Sequence, residues 1–145
     1  MSLKDAIKGV CARSYAHGEF KLGRGKSVNE AVRVNQVPNE PGVYVILSSD
    51  DLERPVYIGK AGTLNQDGNW GEQGIRVRLT KVQEGLPRNV FFIREMERTF
   101  RNGLTFLWFV THNRVVGIIP AFVEMELLKA HYDQFRCLPA LNKSI

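Results

Sequence analysis

This sequence has very little cysteine and contains no long apolar run. Only two cysteines, Cys11 and Cys137, occur among its 145 residues, and no cysteine and histidine cluster has zinc-site spacing. We interpret both as free thiols in a reducing compartment and expect a cytoplasmic protein. No apolar run approaches the roughly 20 residues that a membrane helix needs, and the N-terminus lacks the apolar core of a secretory signal. We therefore expect no membrane partner and no disulfide framework.

Low-complexity tracts and solenoid-period repeats are also missing, which leaves an ordinary globular composition. Hydrophobic residues make up 43% and charged residues 24% of the chain. A domain of this length buries a sufficient core without covalent or metal staples. Lysine and arginine number 20 against 15 aspartates and glutamates, a net charge of +5. This mild excess favours a polyanionic partner over a neutral metabolite.

Residues 1–40 are interpreted as an N-terminal helical and basic extension. A short helix is expected over residues 3–10, and a polar segment follows over residues 13–26. That segment carries four cations, Arg13, Lys21, Arg24 and Lys26. It is either a solvated loop or a basic arm that lies on nucleic acid. Ser27 and Glu30 have capping-box spacing, which predicts a helix over residues 28–35.

Residues 41–145 predict an α+β domain, a small antiparallel β-sheet with flanking helices. The expected elements are strands at 42–48 and 53–60, a loop at 61–74, a helix from Ile75 to Val82, strands at 90–93 and 105–111, and an amphipathic helix at 121–135. The first two strands form a hairpin around a polar turn at residues 49–52. Continuing that register places Tyr44 directly opposite Tyr57, so that two phenols share one face of the sheet.

Each hairpin strand also carries a glycine next to its tyrosine. Gly42 precedes Tyr44 and Gly59 follows Tyr57. A glycine in a strand allows another backbone or a ligand to approach closely. Taken alone, the two tyrosines are a common cross-strand aromatic pair. Together with the glycines, they mark a candidate site.

The last helix carries one acid where an apolar residue is expected. On a helical wheel of about 100° per residue, Glu124 falls in the middle of the apolar arc, whereas Glu126 falls on the polar stripe with Lys129. An inward carboxylate needs a cation or hydrogen-bond donors. Glu124 is therefore either in a structural ion pair with an arginine or a metal ligand at a cleft. His131 shares the inward side, where a packed, hydrogen-bonded histidine is more common than a ligand.

These elements together resemble the GIY-YIG nuclease superfamily. The resemblance is carried, in order, by Gly42-Val43-Tyr44, Tyr57-Ile58-Gly59-Lys60, Ile75-Arg76-Val77-Arg78-Leu79, Glu124-Met125-Glu126-Leu127-Leu128-Lys129 and Pro139-Ala140-Leu141-Asn142. The family's glutamate precedes two residues and an aliphatic pair, which selects Glu124 over Glu126. Two features depart from the family pattern. The loop at 61–74 is longer than usual, and Val82 occupies a position that is often histidine.

The resemblance implies an endonuclease that hydrolyses a phosphodiester bond in DNA with one divalent ion, Mg²⁺ or Mn²⁺, per site. Glu124 would hold the ion between itself and the two phenols, and Arg78 would contact the phosphate. Tyr44 would be the general base and Tyr57 would orient the water. Three further cations, Lys60, Arg76 and Lys81, would contact nucleic acid. Gly42, Gly59 and Asn142 would support the site, and Gly68, Trp70 and Gly71 are candidates for a loop that reads DNA.

Two other interpretations remain open. In the first, the chain keeps this fold and binds nucleic acid without cutting it, which the missing histidine equivalent favours. In the second, the fold belongs to an unrelated enzyme, Glu124 forms a structural salt bridge, and the two tyrosines lie on opposite faces of the sheet. A nuclease of this size would either nick one strand or cut both strands as a homodimer.

Overall fold

A computed structural model describes residues 1–23, 25–80, 82–83, 86–87 and 102–145, with the backbone alone for 82–83 and 86–87. The helices are α1 (Leu3–Arg13), α2 (Val28–Val34), α3 (Ile75–Leu79) and α4 (Pro120–Phe135). The strands are β1 (Ala16–Leu22), β2 (Gly42–Ser48), β3 (Asp51–Ala61), β4 (Val82–Gln83), β5 (Leu86–Pro87) and β6 (Leu104–Val110). None of the described helices is both long and apolar enough to cross a membrane.

The main sheet is antiparallel, with the strand order β1-β6-β2-β3. β2 lies inside the sheet between β6 and β3, and all seven of its residues are buried. A run of β-branched and aromatic residues is typical of such a doubly covered strand. β4 and β5 pair with each other in a separate two-stranded ribbon. The α+β fold with a small antiparallel sheet and flanking helices is thereby confirmed.

Two hydrophobic cores cover the two faces of this sheet. On one face, Tyr44 and Ile46 of β2 pack in the same cluster as residues of α2 and α3. On the other face, Val43 and Val45 of β2 share a cluster with residues of α1 and α4. Alternate side chains of a strand point to opposite faces, which explains the division. The phenol of Tyr44 therefore lies on the α3 side and not on the α4 side.

The N-terminal region departs from its predicted structure. Residues 16–22 were expected in a polar loop, but they form β1, the edge strand that pairs with β6. Only Phe20 and Leu22 of this strand are buried, so the apolar pattern is too short to predict a strand. α1 packs against the core of α4. α1 and β1 thus pack against elements that belong to residues 41–145.

Other local predictions agree more closely with the structure. Ser27 caps α2 by accepting a hydrogen bond from the Glu30 amide, as the capping box predicts. Cys11 and Cys137 are free thiols, as expected. α3 ends at Leu79 and is shorter than predicted, because Val82 belongs to the β4–β5 ribbon. The strand predicted at 90–93 lies outside the described residues.

Candidate functional site

The two hairpin tyrosines share one face of the sheet but are not directly opposite each other. Tyr44 pairs with Gly59, and Tyr57 pairs with Ile46. The predicted register is therefore wrong by two residues, because irregular pairing between residues 46 and 48 accommodates a longer β3. A shift of two residues keeps every side chain on its face. The phenols become diagonal neighbours, with ring centroids 6.0 Å apart.

The two hairpin glycines admit parts of the protein itself, and not a ligand as the sequence alone had allowed. A Cβ atom at Gly59 would lie 2.6 Å from Cζ of Tyr44 and 2.8 Å from Cε2 of Tyr57. A Cβ atom at Gly42 would overlap the carbonyl oxygen of Phe109 on β6 and approach Cδ1 of Ile75. Gly59 thus lets the phenol of Tyr44 lie flat against β3, and Gly42 lets α3 approach the sheet.

Glu124 is half-buried on the inward side of α4, as the helical wheel predicts. Burial raises the pKa of its carboxyl group above the ordinary value, and the positive charges of Lys60 and Arg78 oppose that rise. Among the described residues, Glu124 forms no hydrogen bond and no ion pair. The structural ion pair that the sequence left open is therefore absent from the described part of the chain. The carboxylate lies near two cations without contacting either.

These charged groups meet at one end of the sheet. Gly42 is the register partner of both Ala61 and Val110, so the start of β2 and the ends of β3 and β6 lie together. Lys60 is the penultimate residue of β3, and Glu124 lies in the first turns of α4, after the end of β6. Because α4 and Tyr44 occupy opposite faces, the carboxylate does not lie over the phenols. A site that uses both the Glu124 carboxylate and the phenols would lie at the strand ends.

Arg78 is brought to this end of the sheet by a tightly held short helix. α3 has only five residues, too few for a stable isolated helix. Its first backbone amides donate hydrogen bonds either to the segment at 38–40 or to the carbonyl oxygen of Gly74. Oδ1 of Asn39 accepts from Gly74 and Val77, the carbonyl oxygens of Glu40 and Pro38 accept from Ile75 and Arg76, and that of Gly74 accepts from Arg78.

The guanidinium of Arg78 is partly engaged and partly available. Its Nη1 donates to Oε1 of Gln73 at 3.3 Å, while its Nε is buried and has no hydrogen-bond partner in the part of the chain that the structure describes. Arg76, on the same helix, is exposed. The sequence pattern did not distinguish Arg76 from Arg78. The structure does, because of these two arginines only Arg78 is near Glu124. Lys81, predicted to contact nucleic acid, lies outside the described residues.

Asn39 and Arg114 were missed in the sequence because their contacts are distant along the chain. Nη2 of Arg114 donates to the carbonyl oxygen of Asn39 at 3.0 Å, and its backbone amide donates to Nδ1 of His112. The His112 ring packs against Trp70, with centroids 4.6 Å apart. The N-terminal side of α3, the loop at 61–74 and the turn after β6 are therefore joined. No local signal in the sequence identifies such contacts.

The C-terminal tail covers the open edge of β3 beside Tyr57. The side chain of Asn142 accepts from the amide of Ile58 and donates to its carbonyl oxygen, both at 2.9 Å. The amide of Leu141 donates to the carbonyl oxygen of Val56. Asn142 thus fixes the tail against the edge strand between Tyr57 and Gly59, which is a structural role.

The other two ionisable residues considered on α4 have structural contacts. His131 is fully buried, its Nδ1 lies 2.7 Å from the carbonyl oxygen of Cys137, and burial lowers its pKa. Glu126 is exposed and pairs with Arg13 at 2.8 Å; the Lys129 predicted beside it pairs with Asp133. Arg13 is therefore held at the surface of α4 and is not part of a free basic arm.

The carboxylate of Glu124 fits a weakly held divalent ion. The described residues contain no group of three or more histidine, cysteine, aspartate or glutamate side chains that could hold a metal. Magnesium, however, keeps several waters and commonly binds one or two carboxylates together with substrate phosphates. A single half-buried carboxylate that has no partner within the described ranges of the chain matches that requirement.

The chain has no significant match among family models, curated proteins or solved structures. The resemblance to nucleases therefore depends on the motifs in the sequence alone.

Proposed function

We propose that this protein is a metal-dependent endonuclease that hydrolyses a phosphodiester bond in DNA. The observation that carries the proposal is the half-buried carboxylate of Glu124, which has no ion pair among the described residues and is influenced by the charges of Lys60 and Arg78. A partly buried carboxylate without an ion pair lowers the stability of the fold. A functional role would explain why the chain carries it. Two neighbouring cations and an acid together suit a phosphate with a divalent ion.

Lys60 and Arg78 would bind and orient the phosphodiester. Arg78 presents a planar fork of donors that matches phosphate oxygens, whereas Lys60 acts as a point charge. The exposed Arg76 would contact a neighbouring phosphate. Glu124 would hold the ion, which, when bound, would neutralise charge that develops on the phosphoryl and leaving oxygens. Both cations also favour the ionised form of Glu124 that a metal requires.

One phenol of the pair would contact the water that attacks phosphorus. Tyr44 is 1% exposed and Tyr57 is half-buried. In this conformation Tyr57 is the phenol that meets solvent, and Tyr44 lies behind it against Gly59. We therefore propose that Tyr57 contacts the water directly. Tyr44, behind Tyr57, would take part in the same transfer of a proton from the water.

The burial of Tyr44 favours one second candidate, a nucleic-acid-binding module that does not cut. Such a protein would keep Lys60, Arg76 and Arg78 for phosphates and would need no accessible phenol. Incubation of the wild-type protein with supercoiled plasmid, linear duplex and single-stranded DNA separates the two candidates. The nuclease converts at least one of them to product with Mg²⁺ or Mn²⁺ and not with EDTA. Binding to all three without any product would establish the module.

A further inference from the structure

A polar cavity opens directly beside Arg78. It has a volume of about 580 Å³, within the range of about 300–1,000 Å³ that small-molecule sites occupy. α3 supplies Val77 and Arg78 to its lining, and the remaining residues come from the segments before β2 and before α3. Those residues are Asn39, Thr63, Gly71, Glu72 and Gln73. The cavity is therefore built mainly by the loop at 61–74, which is longer than the resemblance predicts.

The walls of this cavity are fixed by hydrogen bonds within the protein. Nδ2 of Asn39 donates to the carbonyl oxygen of Glu72, while its Oδ1 accepts from Gly74 and Val77. The amide of Gly71 donates to the carbonyl oxygen of Thr63. A ligand that enters would not have to order this loop, so little conformational entropy is lost on binding.

The lining of the cavity carries both charged and neutral polar side chains. Arg78 supplies a cation, and its Nη1 is bonded to Oε1 of Gln73, so that the Gln73 amide nitrogen remains to donate. Within the described residues, the carboxylate of Glu72 and the hydroxyl of Thr63 have no hydrogen-bond partner. The residues that line the cavity therefore include an exposed carboxylate, a hydroxyl and an amide besides the guanidinium.

We propose that this cavity binds the base of an unpaired nucleotide that adjoins the phosphate at Arg78. The inference rests on the proposed function, in which Arg78 holds the phosphodiester. A second phosphate would be repelled by Glu72, whereas a neutral base with N–H groups would be attracted. In an intact duplex the hydrogen-bonding edge of each base is paired and stacked, so the base must be unpaired or extruded to enter.

The carboxylate of Glu72 also determines which bases fit. Adenine, cytosine and guanine each carry an amino group on their pairing edge, and a carboxylate accepts from such a group. Thymine has carbonyl oxygens on either side of its one N–H on this edge, and these would face the carboxylate oxygens. The cavity therefore selects against thymine at the unpaired position, and Glu72 is the residue that determines this specificity.

Binding measured without metal tests this proposal apart from cleavage. The probes are fluorescently labelled DNA duplexes with one central unpaired adenine, cytosine, guanine or thymine, and the fully paired duplex, titrated in EDTA. We expect unpaired adenine, cytosine and guanine to bind about tenfold more tightly than unpaired thymine or the paired duplex. Glu72→Gln should abolish the difference between cytosine and thymine. Glu19→Gln removes the same charge from β1, at the other edge of the sheet, and should preserve it.

Equal dissociation constants for all five probes with the wild-type protein would overturn the cavity proposal, as would an unchanged preference in Glu72→Gln. Neither result concerns hydrolysis, which is measured separately with Mg²⁺ on the same probes. Cleavage without base preference would leave the nuclease proposal in place and remove the cavity. Base-selective binding without cleavage would support the cavity proposal and overturn the nuclease proposal.

Discussion

At the scale of single residues, the proposed function depends on how burial and charge act on Glu124. Burial raises the pKa of this carboxyl group, and the cations Lys60 and Arg78 limit the rise. A raised pKa means that the folded state binds the proton more tightly than the unfolded state does. The ionised form therefore costs stability at neutral pH, and that cost disappears as the pH falls through the raised pKa. Under the proposed function, this loss of stability leaves an ionised carboxylate that can bind a metal ion.

The pH dependence of cleavage follows from the same balance. Metal binding needs the ionised carboxylate, so activity should fall on the acid side at a higher pH than an ordinary glutamate would give. Removing the Lys60 charge by Lys60→Met withdraws one of the two favourable interactions, and the acid limb of the kcat/KM profile should move to still higher pH. Lys129→Met, which removes an exposed lysine paired with Asp133, is the control and should leave the limb in place. If the acid limb stays at the same pH in Lys60→Met, the group that titrates in the profile is not Glu124.

The two phenols are distinguished by removing one hydroxyl at a time. Tyr57→Phe keeps the ring contact with Tyr44 but removes the hydroxyl nearer to solvent, so kcat should fall about 100-fold or more. Tyr44→Phe should have a smaller effect on kcat, because the Tyr44 side chain is buried behind Tyr57. Single-turnover cleavage measures both. A Tyr57→Phe variant as fast as wild type would exclude Tyr57 from the water contact.

At the scale of elements, the site depends on a helix that cannot stand alone. Asn39→Ala removes the acceptor for the amides of Gly74, which precedes α3, and of Val77 within α3, and it removes the donor to Glu72. Leaving such groups without partners should lower the free energy of unfolding by about 1–3 kcal/mol, measured in urea. Cleavage should fall further than the folded fraction does, because Arg78 loses its position. Asn35→Ala, at the exposed end of α2, is the control, and equal stability of the two variants would show that Asn39 does not hold α3.

Elements with strong local signals are those the sequence predicts well. The capping box of α2, the two strands of the hairpin and the inward carboxylate of α4 all follow from short-range patterns. The register of the hairpin does not, because β3 accommodates its extra residues within the strand instead of in the turn. β1 was missed because an edge strand with a solvated face needs only two apolar residues. The contacts of Asn39 with α3 join residues about 35 positions apart along the chain, beyond the reach of any local pattern.

At the scale of the whole molecule, the candidate site lies where three strands end and two layers meet. α3 approaches from the face that carries the phenols, and α4 from the opposite face. Residues 1–40 are built into both layers through α1, β1 and α2. The site therefore depends on the complete fold and not on the hairpin alone. Gly42 and Gly59 leave room for Phe109 and Tyr44. Substitutions at either glycine should therefore lower the stability of the whole fold and not only move one side chain.

The central claim is that Glu124 holds a catalytic ion, and the most direct test compares two glutamates on the same helix. Glu124→Gln and Glu126→Gln make the same chemical change, one at the half-buried carboxylate and one at the exposed pair with Arg13. We expect Glu124→Gln to lose Mg²⁺-dependent plasmid cleavage while its Tm equals or exceeds that of wild type. Glu126→Gln should cut normally. Normal cleavage by Glu124→Gln, or loss of cleavage in Glu126→Gln alone, would contradict the account.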